Sequence, residues 1–183
     1  VKKLLPVMQK YPDLGVITLD DDIIYHKSLV QGLLNNRTEN PKTIVGYVGK
    51  AIVKKENQLH MYFREKNAAN KNTPSSQVYL IGWGGIYYPA GSLHEKAFNE
   101  DEVRRIVPGR GSDIWFWAAA LANNTNQICL GLPKDYNLGI PIPQNDKTKP
   151  KDRPKTDVLL ERFQLAIDYF EVREKLIKLL PNK

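Results

Sequence analysis

A single cysteine, Cys129, is all the thiol chemistry this chain has, so no disulfide forms within it, as suits a reducing compartment. No run of residues comes near the roughly 20 consecutive apolar positions that span a bilayer. The start, Val1-Lys2-Lys3-Leu4-Leu5, runs into Pro6 and a polar segment without the apolar core of a signal peptide. A phosphate-cradling GxxxxGK[ST] loop is lacking, and so is any repeat of solenoid length. His26, His60 and His94 have no metal-ligand spacing, and neither Cys129 nor any serine adjoins a histidine. Zinc sites and activated Ser or Cys nucleophiles therefore find no support.

What is present is a chain of 183 residues, 42% of them hydrophobic, enough for one globular domain with a core. Lys plus Arg outnumber Asp plus Glu 27 to 20, a formal charge of +7. Such an excess serves nucleic acid, anionic lipid or a nucleotide-bearing substrate, and chooses none of them.

The most informative segment is Val16-Ile17-Thr18-Leu19 followed by Asp20-Asp21-Asp22. The apolar run predicts an interior parallel strand covered on both faces. Three like charges at its end cost stability unless something offsets them. Continued alternation would send Asp20 and Asp22 to one side and Asp21 to the other, so that two carboxylates face one ligand. Such oxygen-rich sites suit Mg or Mn, and ligands of parallel sheets bind beyond the carboxyl ends of the strands. A solvated acidic turn is the plainer alternative. His26 stands near enough to Asp22 to join a metal site, although a structural histidine is the simpler reading.

Around that strand the pattern alternates. Lys2 to Tyr11 has helical spacing, stopped by Pro12-Asp13. Ser28 is placed to cap a short helix carrying Leu29, Val30, Leu33 and Leu34. Thr43 to Val53 reads as one strand paired with Gln58 to Phe63, and residues 65 to 76 as a surface loop. Val78 to Tyr88 is strand-like but holds Gly82, Gly84 and Gly85, the mark of a bulge or of close approach by a backbone or ligand. Ile114, Trp117 and Leu121 then repeat at helical spacing behind Ser112, at an N-cap position, and Asp113, in the first turn. Asp113 can be read as a partner of the helix dipole or as a rigidly held general base. Trp83, Tyr87, Tyr88, Trp115 and Trp117 can face a sugar ring or fill the core. Arg104, Arg105 and Arg110 can meet phosphate or coat a solvated face.

The segments ITLDDDIIY (Ile17 to Tyr25), GWGGIYYPAGSL (Gly82 to Leu93) and SDIWFWAAAL (Ser112 to Leu121), in this order and spacing, resemble bacterial glycosyltransferases of the GT-A fold, of the cell-surface polysaccharide type. The resemblance covers roughly Lys2 to Leu138. It implies a mixed α/β sheet flanked by helices, lacking the front half that holds the nucleotide base, so the chain is expected to begin partway through the fold. It also implies transfer of a sugar from a nucleotide-sugar donor to a glycan or lipid-linked acceptor, metal-assisted and inverting, with no nucleic-acid partner. The triplet would serve as the DxD motif, Asp20 or Asp21 touching the sugar or ribose and Asp22 holding Mn or Mg on the diphosphate. Trp83, Gly84 and Gly85 would line the meeting place of donor and acceptor, and Asp113 would be the catalytic base. Relatives commonly carry two acidic residues at that helix start, where this chain has Ser112 and then Asp113. A cytoplasmic enzyme, peripheral at the inner membrane, would follow.

Residues 1–143 are thus expected to form a partial GT-A-like domain and residues 144–183 a basic linker with an amphipathic helix. That helix has Leu160, Phe163, Ile167, Phe170 and Leu176 on one face. Its face can dock on the same domain, form a homo-oligomer contact, or lie on an anionic membrane drawn by Lys175, Lys178 and Lys183.

Overall fold

A computed structural model describes residues 3–55, 58–61, 73–143 and 156–180. In chain order the first elements are α1 (Leu5–Lys10), β1 (Val16–Thr18), β2 (Ile23–Tyr25), α2 (Leu29–Asn35), β3 (Ile44–Gly46), β4 (Gly49–Lys55), β5 (Gln58–Met61) and β6 (Val78–Leu80). They are followed by β7 (Ile86–Tyr88), α3 (Glu100–Ile106), α4 (Ser112–Ala122), β8 (Gln127–Cys129), β9 (Gly139–Pro141), α5 (Thr156–Tyr169) and α6 (Arg173–Leu179). The fold is mixed α/β. A four-stranded sheet runs in the order β1-β7-β3-β8, in which only β3 and β8 are parallel. β5-β4-β6 form a second sheet and β2-β9 a two-stranded ribbon. Among the described residues no helix is long and apolar enough to cross a membrane.

The apolar run before the aspartates is a strand, but not an interior parallel one. β1 lies at the end of its sheet and pairs antiparallel with β7, Val16 opposite Tyr88 and Thr18 opposite Ile86. Its apolar character has another cause: Val16 packs on the main core with Leu5 and Met8 of α1, while Ile17 joins a second cluster with Leu29, Leu33 and Val45. Both faces are covered although, among the described residues, one edge has no strand beside it. Pairing ends at Thr18, and Asp21 and Asp22 fall in a turn. Strand alternation therefore does not extend through the triplet.

The single strand expected over Thr43 to Val53 is two. β3 is wholly buried between β7 and β8, after which the chain passes Tyr47 and Val48 and enters the other sheet as β4, antiparallel to β5 and β6. Glycines likewise divide Val78 to Tyr88 into β6, a 3-10 turn at Gly82–Gly84, and β7. A Cβ at Gly84 would lie 2.6 Å from Val48 Cγ2 and 3.0 Å from the Val48 nitrogen. Gly84→Ala should therefore cost about 1–3 kcal/mol, read as a lowered urea midpoint, because the obstacle includes backbone. The predicted loop over residues 65 to 76 falls for the most part outside the described residues.

The C-terminal helices belong to the core. Phe163, Ala166, Ile167, Phe170 and Leu176 are buried in the same cluster as Trp115 and Trp117 of α4. Phe163 stacks on Trp117 at 5.5 Å between ring centres, and Trp115 stacks on Tyr169 at 5.1 Å. Both indoles donate to backbone carbonyls, Trp115 to Ala97 and Trp117 to Ser76. The expected single helix is divided at Glu171, whose φ of 59° is left-handed, so that α6 turns back and buries Leu176. Lys175 donates to the Leu121 carbonyl and Asn124 Oδ1 at the end of α4, and Lys178 pairs with Glu174. Lys183 and the linker over residues 144 to 155 lie outside the described residues.

Candidate functional site

The acidic turn, the Gly82–Gly84 turn and the start of α4 surround one cavity of about 500 Å³. Asp20, Gly82, Trp83 and Asp113 are among its walls, with Lys3, Lys50, Tyr79, Tyr88 and Arg110. Residues nearly a hundred positions apart in the chain thus meet, because β7 sits beside β1 and α4 packs against β6.

Asp113 is held by its neighbours. Gly111 precedes α4 with φ of 98°, which only glycine adopts at ease, so the N-cap position falls to Gly111 and not to Ser112. The Asp113 carboxylate does not cap its own helix. Instead Oδ2 accepts a hydrogen bond from the Gly82 N–H at 3.0 Å. Desolvation by the surrounding protein raises the Asp113 pKa above the usual aspartate value, the Gly82 bond opposes the rise, and the Asp20 charge adds to it. Tyr79 and Tyr88 are raised well above the ordinary phenol value, first by burial and then by the Asp113 charge, so both stay protonated.

Tyr25 ties the acidic turn to the aromatic wall. The Asp20 N–H donates to the Tyr25 hydroxyl at 3.0 Å, and that hydroxyl donates to the Trp83 carbonyl at 2.8 Å. Trp83 is 41% exposed at the cavity, whereas Trp115 and Trp117 are buried. Of the aromatic residues singled out in the sequence, Trp83 alone offers a broad free face.

The triplet divides. Asp20 lines the cavity, and its carboxylate is paired with the Lys3 ammonium, which also donates to the Leu19 carbonyl at 3.1 Å. Asp21 is exposed and lines a neighbouring, larger cleft of about 1050 Å³ between α1 and α3, which shares Lys3, Gly109 and Ser112 with the first. Asp22 is exposed in the turn, its carbonyl accepting from the Ile142 N–H. Mn or Mg held at Asp22 was the expectation; beside Asp22 in the chain, the Lys3 ammonium holds the Leu19 carbonyl and the Asp20 carboxylate. Among the described residues no three His, Cys, Asp or Glu side chains gather to hold a metal ion. His26 is occupied elsewhere, stacked on Tyr136 at 4.0 Å and accepting from the Ser28 N–H through Nδ1.

Gly84 and Gly85 face protein and not the cavity. Gly84 abuts Val48, and Gly85, with φ of 79°, lies against Leu29 and Leu19. They were expected to admit a ligand, but what approaches them is the chain itself. Sequence reasoning also missed Lys3, Lys50 and Tyr79, which come from separate elements and carry no common motif. A further surprise is α5. Leu159 lines the cavity, and the Arg162 guanidinium donates to the Arg110 carbonyl, fixing the loop before α4.

No family model, no curated protein and no solved structure matches the chain.

Proposed function

We propose that this protein is a glycosyltransferase of the GT-A type, moving a sugar from a nucleotide-sugar donor to a polysaccharide or lipid-linked acceptor with inversion. The observation that carries the reading is Asp113: a carboxylate of raised pKa at a cavity wall, facing the same space as Asp20 and the exposed face of Trp83. A raised pKa makes a carboxylate a stronger base near neutral pH. Asp113 takes the proton of an acceptor hydroxyl as that oxygen bonds to the anomeric carbon. The bond from that carbon to the diphosphate breaks on the opposite face, its electron pair leaving with the phosphate oxygen. The Gly82 N–H orients Asp113, Trp83 supplies a flat apolar surface for a sugar ring, and Asp20 accepts from sugar or ribose hydroxyls.

A panel of nucleotide-sugars, each with and without glycan acceptors, tests this. Release of nucleoside diphosphate that rises with acceptor supports transfer. A second reading is a catalytically silent module that binds glycan or nucleotide, favoured by the Lys3–Asp20 pair that already occupies one carboxylate. Saturable binding without release across the panel would select it.

A further inference from the structure

We infer that the diphosphate of the ligand is held in this cavity by three side-chain cations, Lys3, Lys50 and Arg110, in place of a divalent metal. The inference rests on the sugar-transfer reading of the same site. The three come from different parts of the fold: Lys3 before α1, Lys50 on β4, and Arg110 in the loop leading into α4. A run of charge along one helix is normally a solvated face, but convergence from three elements on one cavity is not explained that way. Against them stand two wall carboxylates, Asp20 and Asp113. Asp20 is paired with Lys3. With both carboxylates ionised the wall still carries one more cation than anions.

Each cation has the chemistry for the task. An ammonium has three donors, and Lys3 uses two of them on Leu19 and Asp20, leaving a third for an anion. Its ammonium also brings a fixed positive charge to the acidic turn, where a metal would otherwise supply one. Lys50 is half-buried, and desolvation lowers its pKa, so a phosphate placed beside it would favour its charged form. Arg110 is exposed and presents a guanidinium suited to bidentate phosphate contact. Its backbone is fixed, between the left-handed Gly109 and Gly111 and by Arg162 on its carbonyl.

The test is calorimetric titration of the whole chain with inorganic pyrophosphate and with a nucleoside diphosphate, once in EDTA and once in excess Mn. Equal affinity in both conditions is expected. Lys3→Met, Lys50→Met and Arg110→Gln should each weaken binding about tenfold or more, with added salt acting in the same direction. Lys3→Arg should recover most of the loss, and Lys10→Met, outside the cavity, should leave affinity unchanged. Melting curves of each variant show whether it is folded. Binding only with Mn, with a Mn-dependent melting shift lost in Asp22→Ala, would overturn the cation cluster while leaving sugar transfer standing. Binding indifferent to all three substitutions, or none in either condition, would overturn it too. Metal-free binding without turnover on any nucleotide-sugar would support the cluster and sink the transfer reading.

Discussion

Asp113→Asn should lower sugar transfer by on the order of 10²-fold or more while leaving donor affinity nearly unchanged, the pattern of a lost general base. The same substitution should raise the melting temperature at neutral pH. The carboxyl's pKa is higher in the folded chain than in the unfolded one, first because of desolvation. Its contribution to stability is therefore fully present below the unfolded pKa and lost as pH rises through the folded pKa. Asparagine stays neutral and can still accept from Gly82 through its amide oxygen. The variant's advantage should accordingly be largest above the folded pKa and shrink as pH falls through it. Such an exchange of stability for activity is expected where a charge is kept in an unfavourable place for its chemistry. Retained turnover with no change in melting would make Asp113 a structural residue at the start of α4.

Phe163→Ala should destabilise the protein by about 3–5 kcal/mol, since it removes a fully buried ring stacked on Trp117. That is a large share of the roughly 5–15 kcal/mol that holds a domain together, and the melting temperature should fall by about 6–20 °C. Leu165→Ala, on the same helix but 37% exposed, should stay within about 0.5 kcal/mol of the parent. Because Leu159 lines the cavity from α5 and Arg162 holds the Arg110 carbonyl, loosening this helix should also weaken ligand binding. Unchanged stability in Phe163→Ala would mean that α5 is a detachable appendage.

The sequence made some of this plain and hid the rest for physical reasons. The helix of α4 could be read because Ile114, Trp117 and Leu121 repeat at its own period, and Asp113 could be singled out because it sits at that helix's first turn. The apolar face of Phe163, Ile167, Phe170 and Leu176 was legible in the same way, and all four are buried. Local pattern does not carry strand partners, however. That Val16 faces Tyr88 in antiparallel register, or that the chain changes sheets between Gly46 and Gly49, depends on residues far along the chain. The turn at Glu171 has no glycine or proline to announce it. Lys3 and Lys50 looked like two of many surface lysines. Only the folded chain brings them to one cavity, and only there does Lys3 hold the Asp20 carboxylate of the aspartate triplet.

The central claim is that the cavity of Asp20, Trp83 and Asp113 takes a nucleotide-sugar, and tryptophan fluorescence during titration with nucleotide-sugars tests it most directly. Trp115 and Trp117 are buried, so ligand entry should be reported by Trp83. The account predicts a saturable change in emission for one class of nucleotide-sugar that disappears in Trp83→Phe. No change with any nucleotide-sugar, or a change that persists without Trp83, would contradict it.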